Sequence, residues 1–105
     1  MPGSPRQGSH RMRVAELEVH NRSGLHARPA AMFVKTASAF RASLSVVNLT
    51  RGTNPANAKS LLAVLGCGVE MGHRIKVSAE GEDEEAAIEA VRALAAGGFG
   101  EAVAG

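Results

Sequence analysis

Ser23-Gly24-Leu25-His26-Ala27-Arg28-Pro29-Ala30 ends a polar loop, sets a histidine two places before an arginine, and opens an apolar-periodic segment. Downstream, Ala30, Phe33, Val34, Ala37 and Phe40 recur at three- and four-residue steps, the period of an amphipathic helix with one face against a core. The pattern predicts a helix running to about Ser38. Pro29 agrees with a start here, because proline is tolerated in a first turn where its missing N–H has no intrahelical partner. The cap has two candidates. The restriction on a residue before proline argues for Arg28, and the spacing of the apolar face also admits His26.

A helix start presents unpaired N–H groups at the positive end of the macrodipole, which suits a phosphate or another anion. A neutral imidazole at His26 would be nucleophilic there. If the ring accepted a phosphoryl group, those N–H groups and the Arg28 guanidinium would face the new negative charge. A helix-cap histidine followed by a solvated first-turn arginine explains the same residue types without chemistry, so the local pattern alone leaves both readings open.

Outward from this stretch, Ala15, Leu17 and Val19 alternate with Glu16, Glu18 and His20 in the period of a half-buried strand. After the helix, a second strand is expected at about Ser43 to Asn48, with Leu44 and Val46 on one face. Gly52 marks a turn, and Pro55 to Lys59 reads as a weak edge strand, since proline cannot donate to an inner ladder. Ser60 is placed to cap a short helix from Leu61 to Leu65 that stops at Gly66-Cys67-Gly68. So short a helix cannot bury Leu61, Leu62, Val64 and Leu65 on one stripe, and apolar surface should stay exposed. Ile75, Val77 and Ala79 alternate into a last strand. Asp83, Glu84 and Glu85 then put negative charge on the first turn of a helix whose inner face is Ala87, Ile88, Val91, Leu94 and Ala95, ended by Gly97-Gly98. The order strand, helix, strand, strand, helix, strand, helix implies an α+β domain, a four-stranded antiparallel sheet with three helices on one face.

The chain has 105 residues, 45% of them apolar, enough for one small core and no second domain. Residues 1–12 carry no apolar period and read as a disordered leader or an expression remnant, residues 13–98 as the domain, and residues 99–105 as a flexible C-terminal tail. The formal charge of +2 comes from 12 basic and 10 acidic residues. Without Arg6 and Arg11 the two signs balance, and the only aromatics are Phe33, Phe40 and Phe99. A nucleic-acid surface is therefore not supported. No run of residues is long and apolar enough for a signal core or membrane span. The lone Cys67 has no disulfide partner within the chain and reads as a packing residue, and a cytoplasmic location is the simplest expectation. His20, His26, Cys67 and His73 lack metal-ligand spacing, so no metal is expected. A GxxxxGK[ST] loop is missing and no cofactor is expected.

Gly24-Leu25-His26-Ala27-Arg28-Pro29-Ala30 resembles the active-site motif of HPr, the histidine-containing phosphocarrier of the phosphoenolpyruvate:sugar phosphotransferase system. The likeness continues through Asn57-Ala58-Lys59-Ser60-Leu61-Leu62 and Ser78-Ala79-Glu80-Gly81-Glu82-Asp83-Glu84. It implies the HPr open-faced β-sandwich, and a carrier with no turnover of its own that takes a phosphoryl group from enzyme I and hands it to an enzyme IIA component. By matching position it implies His26 as the acceptor through Nδ1, Arg28 as its supporting cation, and Ala27 and Pro29 as the scaffold of the first turn. It also sets Ser60 where some members accept a regulatory phosphate from an HPr serine kinase, although an N-cap role accounts for Ser60 with no further explanation, and Leu61 and Leu62 on the partner-docking patch of a monomer. The stretch from Asn48 to Asn57 is longer than in the general pattern and is similar to HPr-like domains of fructose-specific or dihydroxyacetone-kinase-linked phosphotransferase proteins, which are often fused to others. The rival expectation is a regulatory or anion-binding module on the same scaffold, since fold does not dictate function.

Overall fold

The structure, a computed structural model, describes residues 12–101. Alternation of small apolar and polar side chains produces β1, Met12–Glu18, and β4, Arg74–Glu80, which pair antiparallel from Met12 opposite Glu80 to Glu18 opposite Arg74. Met12 thus belongs to the first strand, one residue earlier than the expected domain boundary; residues 1–11 of the expected leader lie outside the described residues. β2, Ser43–Asn48, pairs with the other side of β4, and β3, Ala56–Asn57, closes the edge against β2. The order is β1-β4-β2-β3, all antiparallel. Pro55 stands immediately before the two-residue edge strand, where its lack of an N–H costs no ladder bond.

Three α-helices cover one face of the sheet: α1, Ala27–Ser38; α2, Leu61–Gly66; and α3, Glu84–Ala96. This is the α+β open-faced sandwich. Ala15, Val77 and Val46 stand side by side across β1, β4 and β2, with Leu44 beside Ala79, and all five are buried under the helices. From α1 the core receives Ala30, Phe33 and Ala37, and from α3 Ala87, Ile88 and Val91. Val34, Phe40, Leu94 and Ala95, expected on these inner faces, pack at the margin of the core and are only partly buried. Val14 and Glu16 of β1 point to the helix-free side and are exposed.

The acidic run before α3 is more specialised than a simple charge on a helix start. Asp83 occupies the N-cap but makes no capping bond; its carboxylate instead accepts from the N–H groups of Arg41 at 2.9 Å and Ala42 at 2.8 Å. Those bonds, the Arg41 N–H first, hold the Asp83 carboxyl below its ordinary value. Glu84 turns back to accept from the Gly81 N–H at 3.0 Å, satisfying a donor ahead of the helix. Asp83 therefore ties the last helix to the chain entering β2.

The expected tail at 99–105 is corrected at its first three positions. A 3-10 turn over Gly98–Gly100 brings Phe99 back under α1, where it is 1% exposed and its ring meets Phe33 edge to face, 6.0 Å between centroids. An aromatic side chain that large, once it reaches an unfilled edge of the core, gains more from burial than the chain loses in turning. Residues 102–105 lie outside the described residues.

Candidate functional site

His26 is the N-cap of α1, in extended backbone, and its side chain makes no capping hydrogen bond. The choice left open between His26 and Arg28 thus falls to His26. Arg28 lies in the first turn and is exposed, so the restriction before Pro29 yields to the helix here. The first intrahelical bond is long, Ala30 N–H to His26 C=O at 3.5 Å, and Pro29 has no N–H to offer. No acidic residue sits in the first turn itself. Ala27 adopts φ of 50°, a left-handed conformation uncommon outside glycine and costing on the order of 1–2 kcal/mol. The motif gave no sign of it, because alanine is a residue that normally avoids that region.

The imidazole is half-exposed, at 37% of its side-chain surface, yet Nε2 is shut off from solvent and has no hydrogen-bond partner. Glu70 Oε2 lies 3.3 Å from it, outside hydrogen-bond alignment. Glu70 comes from the turn before β4 and carries no motif that a sequence reading could isolate.

The loop that delivers His26 is held from three directions. Leu25 is fully buried and donates its N–H to the Val69 carbonyl at 3.0 Å. Asn21, also fully buried, donates from Nδ2 to the Gly24 carbonyl at 2.8 Å and to Glu101 Oε1 at 3.0 Å. Glu101 further accepts from the Ser23 N–H at 2.9 Å and the Ser23 hydroxyl at 2.7 Å. The Ser23 N–H, then its hydroxyl, then the Asn21 amide hold the Glu101 carboxyl below its ordinary value. So the segment past α3, expected to be free, fastens the loop ahead of the histidine.

A pH dependence follows from Asp83 and Glu101 together. Both folded values are lowered, so the unfolded chain binds more protons in acid; the stabilisation is complete above the ordinary values of 3.8 and 4.5 and is lost as pH falls through the depressed folded ones. Thermal midpoints measured from about pH 6 to about pH 3 should fall steadily, and the double variant Asp83→Asn, Glu101→Gln should show a flatter curve. Parallel curves would contradict it.

Ser60 caps α2 as expected, its Oγ accepting from the Ala63 N–H at 3.2 Å. Behind it, Val64 is buried while Leu61, Leu65 and above all Leu62, 81% exposed, face outward. α2 packs against α1, so this apolar surface belongs to the helix layer that carries His26. His73 serves the local structure: its Nδ1 accepts the Glu70 N–H at 3.1 Å and stands 3.1 Å from Asn48 Nδ2. Burial pushes the Cys67 thiol up, which agrees with a packing role. Among the described residues, no group of three or more His, Cys, Asp or Glu side chains is placed to hold a metal, and no helix is long and apolar enough to cross a membrane.

The model of the PTS HPr component phosphorylation site matches residues 14–96. The chain belongs to the HPr family. Phosphocarrier protein HPr of Treponema pallidum is 41% identical over 83 residues, covering 79% of this chain and 91% of its own. The multiphosphoryl transfer protein of Salmonella typhimurium is 45% identical over 87 residues, 83% of this chain. This chain spans only 23% of the length of that longer protein. Among solved structures, HPr-C-His from Thermoanaerobacter tengcongensis superposes with a TM-score of 0.80 at 43% identity, covering 87% of this chain and 99% of its own. The match sets the chain in the phosphocarrier family of the phosphotransferase system, the family that the sequence had suggested.

Proposed function

We propose that this HPr domain accepts a phosphoryl group from phospho-enzyme I on Nδ1 of His26 and passes it to an enzyme IIA component. The observation that carries the reading is the placement of a half-exposed, non-capping imidazole at the N-cap of α1, with no acidic residue in the first turn. Such a start faces the incoming phosphoryl oxygens with a positive dipole end and spare N–H groups. On acceptance the lone pair on Nδ1 forms the N–P bond while the donor's bond to phosphorus breaks and its electron pair stays with the donor; on onward transfer the acceptor's lone pair forms the new bond to phosphorus and the N–P pair returns to Nδ1. Nothing is consumed, which makes the domain a carrier with no turnover of its own.

Arg28, one residue into the helix beyond Ala27, supplies a cation for the phosphoryl oxygens during transfer. Arg28→Ala should still accept phosphate but about 10- to 100-fold more slowly, from the roughly 1.5–3 kcal/mol of a charged hydrogen bond. Rapid-quench measurement of acceptance checks it; an unchanged rate would leave Arg28 a surface residue.

Leu61 and Leu62 form the docking patch, and Ser60 stands at its edge as the candidate for a regulatory phosphate from a serine kinase. A partner packed on these exposed leucines would exclude water from the moving phosphoryl group, and a small buried area would permit fast release. Ser60→Asp should weaken the apparent affinity for phospho-enzyme I by about tenfold at low salt, where charge effects are largest. Its thermal midpoint should stay within about 2 °C, because aspartate also caps helices. A kinetic titration paired with a melting curve measures both, and unaltered affinity would reduce Ser60 to a cap.

The relay as a whole is tested by supplying enzyme I, phosphoenolpyruvate and an enzyme IIA, and following phosphate through this domain to the acceptor. Phosphate on the acceptor only when the domain is present supports the carrier. No phosphate on the domain itself would favour an anion-binding module instead.

A further inference from the structure

The reacting histidine has one nitrogen that water does not reach. Nε2 of His26 is buried and without a hydrogen bond, and the charged group facing it is the Glu70 carboxylate, 3.3 Å away at Oε2. A neutral imidazole carries one N–H and one lone pair, and a carboxylate can only accept. With the lone pair on Nε2, two electron-rich atoms would face one another at a nitrogen that water does not reach. With the proton on Nε2, the pair attracts. The arrangement therefore selects the form with its proton on Nε2 and its lone pair on Nδ1.

The neighbouring chain is built to keep Glu70 there. The Glu70 N–H donates to His73 Nδ1 at 3.1 Å, and the Glu70 carbonyl accepts from the His73 N–H at 3.0 Å. His73 Nδ1 is also met by Asn48 Nδ2, which reaches the Cys67 carbonyl at 3.1 Å from a fully buried side chain. On the other side, Gly24, at φ of 60°, passes so near this turn that a Cβ would collide with the Val69 carbonyl and stand 2.8 Å from Glu70 Cα. The close approach at Gly24 thus brings the histidine loop and the Glu70 turn together, two residues before His26.

We propose that Glu70 is a positioning residue for phosphoryl transfer, fixing the proton of His26 on Nε2 so that Nδ1 is free to accept, and offsetting the ring's positive charge once Nδ1 is phosphorylated. The proposal rests on the carrier reading above. When Nδ1 donates its lone pair to phosphorus the ring keeps its Nε2 proton and becomes cationic. The donor leaves with the electron pair of its own bond to phosphorus, and no proton has to move. On onward transfer the N–P pair returns to Nδ1 and the ring is neutral again. The Glu70 carboxylate faces the cation throughout, and it reaches the ring at the nitrogen that does not react.

The test begins with nitrogen-15 NMR of the His26 ring in the unphosphorylated protein, above the range in which the ring is protonated. Wild type is expected to show the proton on Nε2, and Glu70→Ala to show a mixture of both forms. Glu70→Gln keeps an accepting oxygen without the charge and should retain the wild-type form. With enzyme I and phosphoenolpyruvate, Glu70→Ala and Glu70→Gln should both accept phosphate about three- to fivefold more slowly, a modest effect because the carboxylate is 63% exposed. An Nδ1-protonated wild type, or the same form in wild type and Glu70→Ala, overturns the assignment whatever the rates. Failure of wild type to accept phosphate, with the NMR result as expected, overturns the carrier reading alone and leaves the role of Glu70 in orienting the ring.

Discussion

Replacing His26 by alanine should abolish phosphate acceptance while changing stability by less than about 0.5 kcal/mol. The first half follows from chemistry. His73 Nδ1 accepts the Glu70 N–H, and the Cys67 thiol is buried and pushed up by desolvation, so neither stands ready to take the place of His26. The second half follows from geometry, since the His26 side chain makes no capping bond and its ring lies outside the core formed by Leu25, Ala30 and Phe33. Labelled acceptance assays and urea melts of the same sample check both halves. Full acceptance by His26→Ala would move the site elsewhere, and a collapsed melt would make His26 a structural residue.

Phe99→Ala should be the most destabilising of the substitutions considered. Removing a buried phenylalanine ring costs about 3–5 kcal/mol, because the transfer energy of the ring is lost and the cavity collapses only partly. For a domain of this size that is a fall of at least about 12 °C in thermal midpoint. The ring meets Phe33 on α1, and Glu101 two residues on grips Ser23 and Asn21, so the variant should also loosen the loop ahead of His26. Amide exchange at Ser23 and Gly24 should quicken with it. A change below about 1 kcal/mol would restore the reading of residues 99–105 as a tail.

What the sequence made legible follows the length of each pattern. α1 and α3 repeat their apolar residues over three turns, β2 and β4 alternate over six and seven residues, and each was readable within a residue or two at its ends. Pro55 and Ser60 each announced their roles by local chemistry, one as an edge marker and one as a cap. Phe99 was not readable, because a single aromatic among glycines has no period and its partner Phe33 lies far back in the chain. Asp83 and Glu101 likewise bond across the fold, to Arg41 and Ala42 and to Asn21 and Ser23. At the candidate site, the motif pointed to His26 and Arg28, whereas the left-handed turn at Ala27 and the carboxylate of Glu70 emerge only when the loop and the turn before β4 are brought together.

The central claim is that the imidazole at the N-cap of α1 is the phosphoryl acceptor. Incubation with enzyme I and labelled phosphoenolpyruvate, followed by proteolysis and site mapping, tests it most directly. The expected result is a single acid-labile, base-stable phosphate on Nδ1 of His26. Label on another residue, or none on a fully folded domain, would contradict it.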